Sequence, residues 1–120
     1  MKMLAEALVA LVALLHLYFL VLEMFLWTKP YGRRVFRLSP EQAMATKSLA
    51  ANQGLYNGFL AAGLGWGLLA GADGYTIKVF FLSCVIVAGI FGAATANRKI
   101  LWVQAVPGAL ALAVVCASCC

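Results

Sequence analysis

The sequence predicts an all-α membrane protein, a four-transmembrane-helix bundle, on three observations. Of 120 residues, 65% are hydrophobic and only 11% are charged, with a mean hydropathy of +0.97. A soluble domain carries about 25% charged residues, so this chain could not cover its apolar surface in water. Its apolar residues gather into long stretches separated by short polar or glycine-rich breaks, and about 20 such residues cross the hydrocarbon of a bilayer. Lys and Arg, finally, cluster in two of those breaks, as they do in cytoplasmic loops. The whole of 1–120 reads as one integral membrane domain, and the net charge of +5 belongs to loop topology rather than to nucleic-acid binding.

The first span is expected at about 4–27, closing in Phe25, Trp27 and Lys29 as an interfacial belt. Lys2 ahead of an apolar core resembles a signal peptide. The run is long, however, and Trp-Thr-Lys-Pro follows it instead of a small-residue cleavage site, which predicts a retained helix. Residues 28–47 form a basic cytoplasmic loop, of which 28–38 are a plain connection. Ser39-Pro40-Glu41-Gln42 then predicts a helix start: serine as N-cap, proline at the first helical position, glutamine at the third to close a capping box. No further proline occurs before Pro107, so this helix runs to about Ala70 and, at 1.5 Å per residue, reaches about 45 Å. Its membrane span is about 48–70, and its first two turns stand in water. Gly71-Ala72-Asp73-Gly74 predicts a turn, 76–95 a third span, and Asn97-Arg98-Lys99 a tight polar hinge. The fourth span, about 100–118, should kink at Pro107, which has no N–H for the carbonyl of Val103.

Orientation follows from the cations. Lys29, Arg33, Arg34, Arg37, Lys47, Arg98 and Lys99 fall on one side, against Lys2 and Lys78 on the other, seven to two. Both termini should therefore lie outside and the basic loops in the cytoplasm. Glu6 and Lys78, near the outer boundary, should snorkel to water. Arg33, Arg34 and Arg37 are candidates to hold anionic lipid headgroups of the surrounding membrane, although topology alone accounts for them. Small residues repeat at helical spacing: Gly54, Gly58, Ala61 and Gly65 on one face of the second span, Gly63, Gly67 and Gly71 on another, and Ala88, Gly92 and Ala96 in the third. Such faces let helices approach closely, either within the bundle or across a homodimer seam.

The candidate site rests on ionisable and amide groups inside the spans. His16 and Glu23 lie seven apart in the first, about 20° from each other on one face. Placing each in hydrocarbon costs on the order of 3 kcal/mol. The second span supplies Asn52, Gln53, Tyr56 and Asn57, the last three within an arc of about 100°, and the fourth supplies Gln104. A pocket opening toward the cytoplasm is expected, lined by His16, Glu23, Gln53, Asn57 and Gln104, with Asn52 and Tyr56 beside them. In the competing reading these groups only bond across to neighbouring helices, Glu23 pairing with His16 or an amide.

One histidine with no second His or Cys at ligand spacing is too poor a set for a metal, and no cofactor is implied. Gly-x-Ser-x-Gly, a phosphate-cradling glycine loop and HExxH do not occur. Glu6 and Glu23 are 17 residues apart, or about 25 Å along a helix, and cannot act as a pair. Cys116-Ala-Ser-Cys119 spells a CxxC, with Cys120 next to it and Cys84 in the third span. A disulfide, a link between chains and apolar filling are all open to them.

These segments, His16-Leu-Tyr18, Leu22-Glu23 and Trp27, Asn52-Gln53-Gly54-Leu55-Tyr56-Asn57, Val87 to Gly92 and Gln104-x-x-Pro107, resemble an uncharacterised family of small bacterial membrane proteins, domain of unknown function 1304. The resemblance covers nearly the whole chain, and the Asn52–Asn57 segment is its most specific part. It implies a four-helix domain in the bacterial cytoplasmic (inner) membrane and nothing about substrate. In size and in its lone membrane carboxylate the chain is also similar to the small multidrug exporters, whose key glutamate lies mid-span in the first helix, where this chain has His16. Two function classes follow: binding or transport of a small molecule through the polar pocket, or a membrane enzyme acting on a lipid or isoprenoid with His16 and Glu23 as acid and base. A structural subunit of a membrane complex is the third.

Overall fold

Uninterrupted apolar runs and prolines confined to helix starts set the secondary structure. The structure, a computed structural model, describes residues 1–119, with Cys119 described by its backbone alone. Five α-helices follow in order: α1 (Lys2–Met24), α2 (Pro30–Phe36), α3 (Pro40–Leu69), α4 (Gly74–Thr95) and α5 (Val106–Cys119). A 3-10 turn, Gly71–Asp73, joins α3 to α4, and a π-helical turn, Leu101–Ala105, leads into α5. Among the described residues there is no strand. Three helical stretches are long and apolar enough to cross a membrane: Lys2–Met24, Gly71–Thr95 and Leu101–Ser118, with mean hydropathies of 2.3, 2.3 and 1.8. At 30 residues α3 is the longest helix, but Asn52, Gln53 and Asn57 dilute its hydropathy.

Local chemistry explains the boundaries. At the start of α3 the capping box forms as the sequence predicts: the Gln42 N–H donates to Ser39 Oγ at 3.1 Å, and the Ser39 N–H donates to Gln42 Oε1 at 2.9 Å. The first helix stops at Met24, three residues short of the expected end, and Phe25 to Lys29 form turns. The plain connection expected at 28–38 instead contains α2. Pro30 opens it as a first-turn proline, and it ends in a left-handed residue, Arg37, at φ 56°. There the Leu38 N–H returns to the Arg33 carbonyl at 2.9 Å and the Arg37 N–H to that of Arg34 at 3.4 Å, the Schellman pattern, with arginine where glycine is usual. Immediately before Pro107 the chain forms the π turn, in which the Val106 N–H reaches back five residues to the carbonyl of Leu101. Proline and a π bulge are both sites at which helices bend.

The chain divides into two units, Leu15–Phe59 and Met1–Leu14 with Leu60 onward, and α1 and α3 each contribute to both. In the larger unit, Ala5, Val9 and Val12 of α1, Leu64 of α3, Leu82 and Val85 of α4, and Ala111 and Val115 of α5 form one buried core. On its surface large apolar side chains stay exposed, among them Phe80, Val87, Ile90, Phe91, Trp102 and Leu110. Glycines close the packing. The Lys78 stem lies over Gly67, the Phe81 ring over Gly63, and Ala105 against Gly89, while the start of α4 touches the backbone of Gly67 at Gly74.

In the smaller unit, α1 and α3 run antiparallel. Gly54 faces Leu20, Glu23 and Met24, and Gly58 faces Leu20. Gly32 of α2 sits against the backbone of Leu26, where a side chain would not fit. Trp27 Nε1–H donates to Thr46 Oγ1 at 3.0 Å, so the expected interfacial belt residue is instead half-buried and tied to α3. The Tyr18 and Tyr31 hydroxyls share a hydrogen bond of 2.6 Å.

Candidate functional site

The smaller unit holds the carboxylate and most of the amides. Glu23 lies one residue before the end of α1, half-buried, and Asn57 Nδ2–H donates to its Oε1 at 2.5 Å. Helix geometry dictates the pairing. Gly54 and Gly58 lack side chains and let α3 settle onto the last turns of α1, and Asn57 flanks them within the same turn. Oε2 of Glu23 makes no hydrogen bond among the described residues. A single amide bond of this kind orients the carboxylate without closing it off.

His16 is fully buried on α1 and engaged by neighbours, among them the Phe19 ring, edge-on at 5.4 Å between centroids. It lies seven residues from Glu23, about 10 Å along the helix, so of the two partners expected for Glu23 the structure selects the amide. Asn52, Gln53 and Tyr56 are exposed, and Tyr56 stacks obliquely near Phe59 at 6.1 Å. Gln53, one turn before Asn57, shares its edge of α3, whereas Asn52 faces away. Gln104 belongs to the larger unit, half-buried in the π turn and engaged by a neighbour. The structure therefore joins two of the expected residues directly, Glu23 and Asn57, and leaves Gln53 on their open side.

Of the three arginines, Arg33 is half-buried and donates from Nε to the Thr28 carbonyl at 3.3 Å. Arg34 lies over the Tyr31 ring at 5.8 Å, and Arg37 supplies the left-handed cap of α2. All three have structural work in α2, and Arg34 and Arg37 remain exposed. Among the described residues no group of three or more His, Cys, Asp or Glu could hold a metal. Cys84 and Cys116 are free thiols, while the CxxC partner side chain of Cys119, and Cys120, lie outside the described residues. Sequence reasoning missed the Tyr18–Tyr31 and Trp27–Thr46 bonds, which link residues 13 and 19 apart across a turn. No local spacing announces either of them.

With an oxygen of Glu23 held by Asn57 and the other open, the site can accept hydrogen bonds from an ammonium, hydroxyl or amide group, or take up a proton. Comparison with known proteins adds a family but no chemistry. No solved structure matches the chain. An uncharacterised protein of Lactococcus lactis subsp. lactis, YpaA, is 32% identical over 114 residues, covering 93% of this chain and 96% of its own. The family model described as protein of unknown function (DUF1304) matches residues 10–116, and the chain belongs to that family.

Proposed function

We propose that this is a four-span protein of the bacterial cytoplasmic membrane, with both ends outside, that binds a small hydrogen-bond-donating molecule at Glu23 and passes it across the bilayer. The fourth crossing is α3. Its 54–58 segment packs antiparallel to residues 20–24 of α1, and its Gly63 and Gly67 pack antiparallel to Phe81 and Lys78 of α4. Each half of α3 thus lies beside a helix apolar enough to span, and a helix of 30 residues is about 45 Å long. The seven-to-two division of cations supports this orientation.

The observation that carries the binding reading is the Glu23–Asn57 pair with Oε2 open. A carboxylate at the end of an apolar span is costly to retain, and its free oxygen leaves room for a donor from outside the chain. A ligand donates to the open Oε2 while Asn57 keeps Oε1 in place, and donation from a cation there is a charge-assisted bond. Gln53 on the same edge supplies a second polar contact. Transport needs a pathway, which in so short a chain comes from a second copy. Gly54, Gly58, Gly63 and Gly67 are met by neighbours of the same chain, while nothing lies within 4 Å of Gly65, so the open part of the glycine seam is there.

A second reading, a subunit of a membrane complex, draws on the exposed face of α3, where Asn52 and Tyr56 share a surface with Leu49 and Phe59. Native mass spectrometry of the protein released gently from membranes separates the two. A small molecule bound to the wild type and lost in Glu23→Gln supports the site. A co-purified protein lost in Asn52→Leu supports the subunit. No bound species, with all variants equally stable, removes both.

A further inference from the structure

A polar concavity lies in the larger unit. Lys2 of α1, Gly71, Tyr75 and Lys78 around the start of α4, and Ser118 near the end of α5 line a depression of about 280 Å³. Lys2 and Lys78 are the two cations that the charge count leaves on the outer side of the membrane. The Lys78 stem is held over Gly67, where a Cβ would come within 2.6 Å of its Cγ, so the base of the side chain is fixed beside the depression. Neither lysine forms an ion pair among the described residues. At the start of α4 the Gly74 N–H donates to the Gly71 carbonyl and the Asp73 carboxylate, which makes no cap bond, offsets the positive helix end, so the lysines carry the attraction. Ser118 donates its proton to the Val115 carbonyl at 2.8 Å, so the two ammonium groups are the charged donors here.

We propose that this depression binds a phosphate group, presented at the outer surface of the membrane by an anionic phospholipid or by a soluble phosphate. Two cations without an ion pair, lining one concavity, favour a compact anion with several acceptor oxygens. The lysine stems are apolar, which suits a ligand whose tail continues into lipid. The site depends on the charges meeting in one depression and not on anything at Glu23.

The test uses the full chain in a neutral detergent, with dioctanoyl phosphatidylglycerol, dioctanoyl phosphatidylcholine and inorganic phosphate as separate probes. Thermal unfolding and native mass spectrometry are the readouts. Phosphatidylglycerol should raise the melting temperature of the wild type and of Lys78→Arg, and bind at least tenfold more weakly to a Lys2→Gln, Lys78→Gln double variant. Lys99→Gln, on the opposite side, should bind like the wild type. An equal effect of inorganic phosphate identifies a free anion as the source, and an effect of the lipid alone identifies a headgroup. Equal binding of phosphatidylcholine, or equal binding by wild type and double variant, overturns the proposal. Should the double variant unfold, Lys2→Gln alone decides, because Lys2 is exposed: unchanged affinity there overturns the proposal, and a severalfold loss sustains it.

Discussion

Two glycines in the middle of long helices should respond to the same substitution with opposite sign. Nothing lies within 4 Å of a Cβ built on Gly65 of α3. Gly65→Ala therefore gains only the helix propensity of alanine, up to about 1 kcal/mol. Gly89 of α4 faces the π turn, and there a Cβ would meet Ala105 N at 2.6 Å, Cβ at 2.8 Å and Cα at 2.9 Å. Two of those atoms are backbone and none can rotate away, so the methyl has to push α4 from the π turn. Overpacking of this kind costs about 1–3 kcal/mol, and a backbone obstacle takes the upper part of that range. Set against the same propensity gain, Gly89→Ala should lose about 2 kcal/mol. The two variants should then differ by about 3 kcal/mol, roughly a hundredfold in the folding equilibrium. Reversible unfolding in mixed dodecyl maltoside and sodium dodecyl sulfate micelles, followed by tryptophan fluorescence, measures this directly. If Gly89→Ala is as stable as Gly65→Ala, close packing of α4 on the π turn is not what holds the larger unit.

Three further outcomes are expected. A double-mutant cycle with Glu23→Leu and Asn57→Leu, each of which removes the bond, should give a coupling of about 0.6–1.7 kcal/mol in the same assay; additivity would mean that the pair does not form. Ser39→Ala should cost about 1 kcal/mol and speed amide exchange in the first turn of α3, and unchanged exchange there would contradict the capping box. In a chain whose four native cysteines are replaced by serine, Asp73→Cys should react with a membrane-impermeant maleimide in intact cells. Ser39→Cys and Lys99→Cys should react only after permeabilisation, and the reverse pattern would invert the orientation.

Much of the fold was legible because its signals are local. The helix start at Ser39-Pro40-x-Gln42 and the turn at Gly71–Gly74 each depend on a few adjacent residues whose backbone preferences agree. The same logic could have revealed α2: Pro30 marks a first turn as clearly as Pro40 does. Arg37 hid its end, because the left-handed position there carries no glycine. The early stop of α1 was hidden differently. Phe25, Leu26 and Trp27 continue the apolar run, and only the tertiary bond from Trp27 to Thr46 accounts for a turn where hydropathy alone continues the helix. At the Pro107 segment the sequence located the disturbance, and the π turn Leu101–Ala105 just before it has no signature of its own in the residue pattern.

The site was legible in its membership but not in its pairing, and the glycines explain the difference. Taking 100° per residue, Asn57 stands about 60° from Gly54, Gln53 about 100° and Asn52 about 160°. Gly54 and Gly58 are the positions that meet α1, so the amide nearest that face reaches Glu23, the next borders it, and the last faces outward. The observed order, with Asn57 half-buried and bonded and Gln53 and Asn52 exposed, is the one this arithmetic gives. What the sequence could not supply was which of the two glycine faces would take α1, because Gly63 and Gly67 offered an equally good surface and are taken by α4 instead. Once that choice is made, the partner of Glu23 follows from helix geometry alone. A chain that kept Gly54 and Gly58 but carried its only amide at position 52 would leave the carboxylate without a partner on α3.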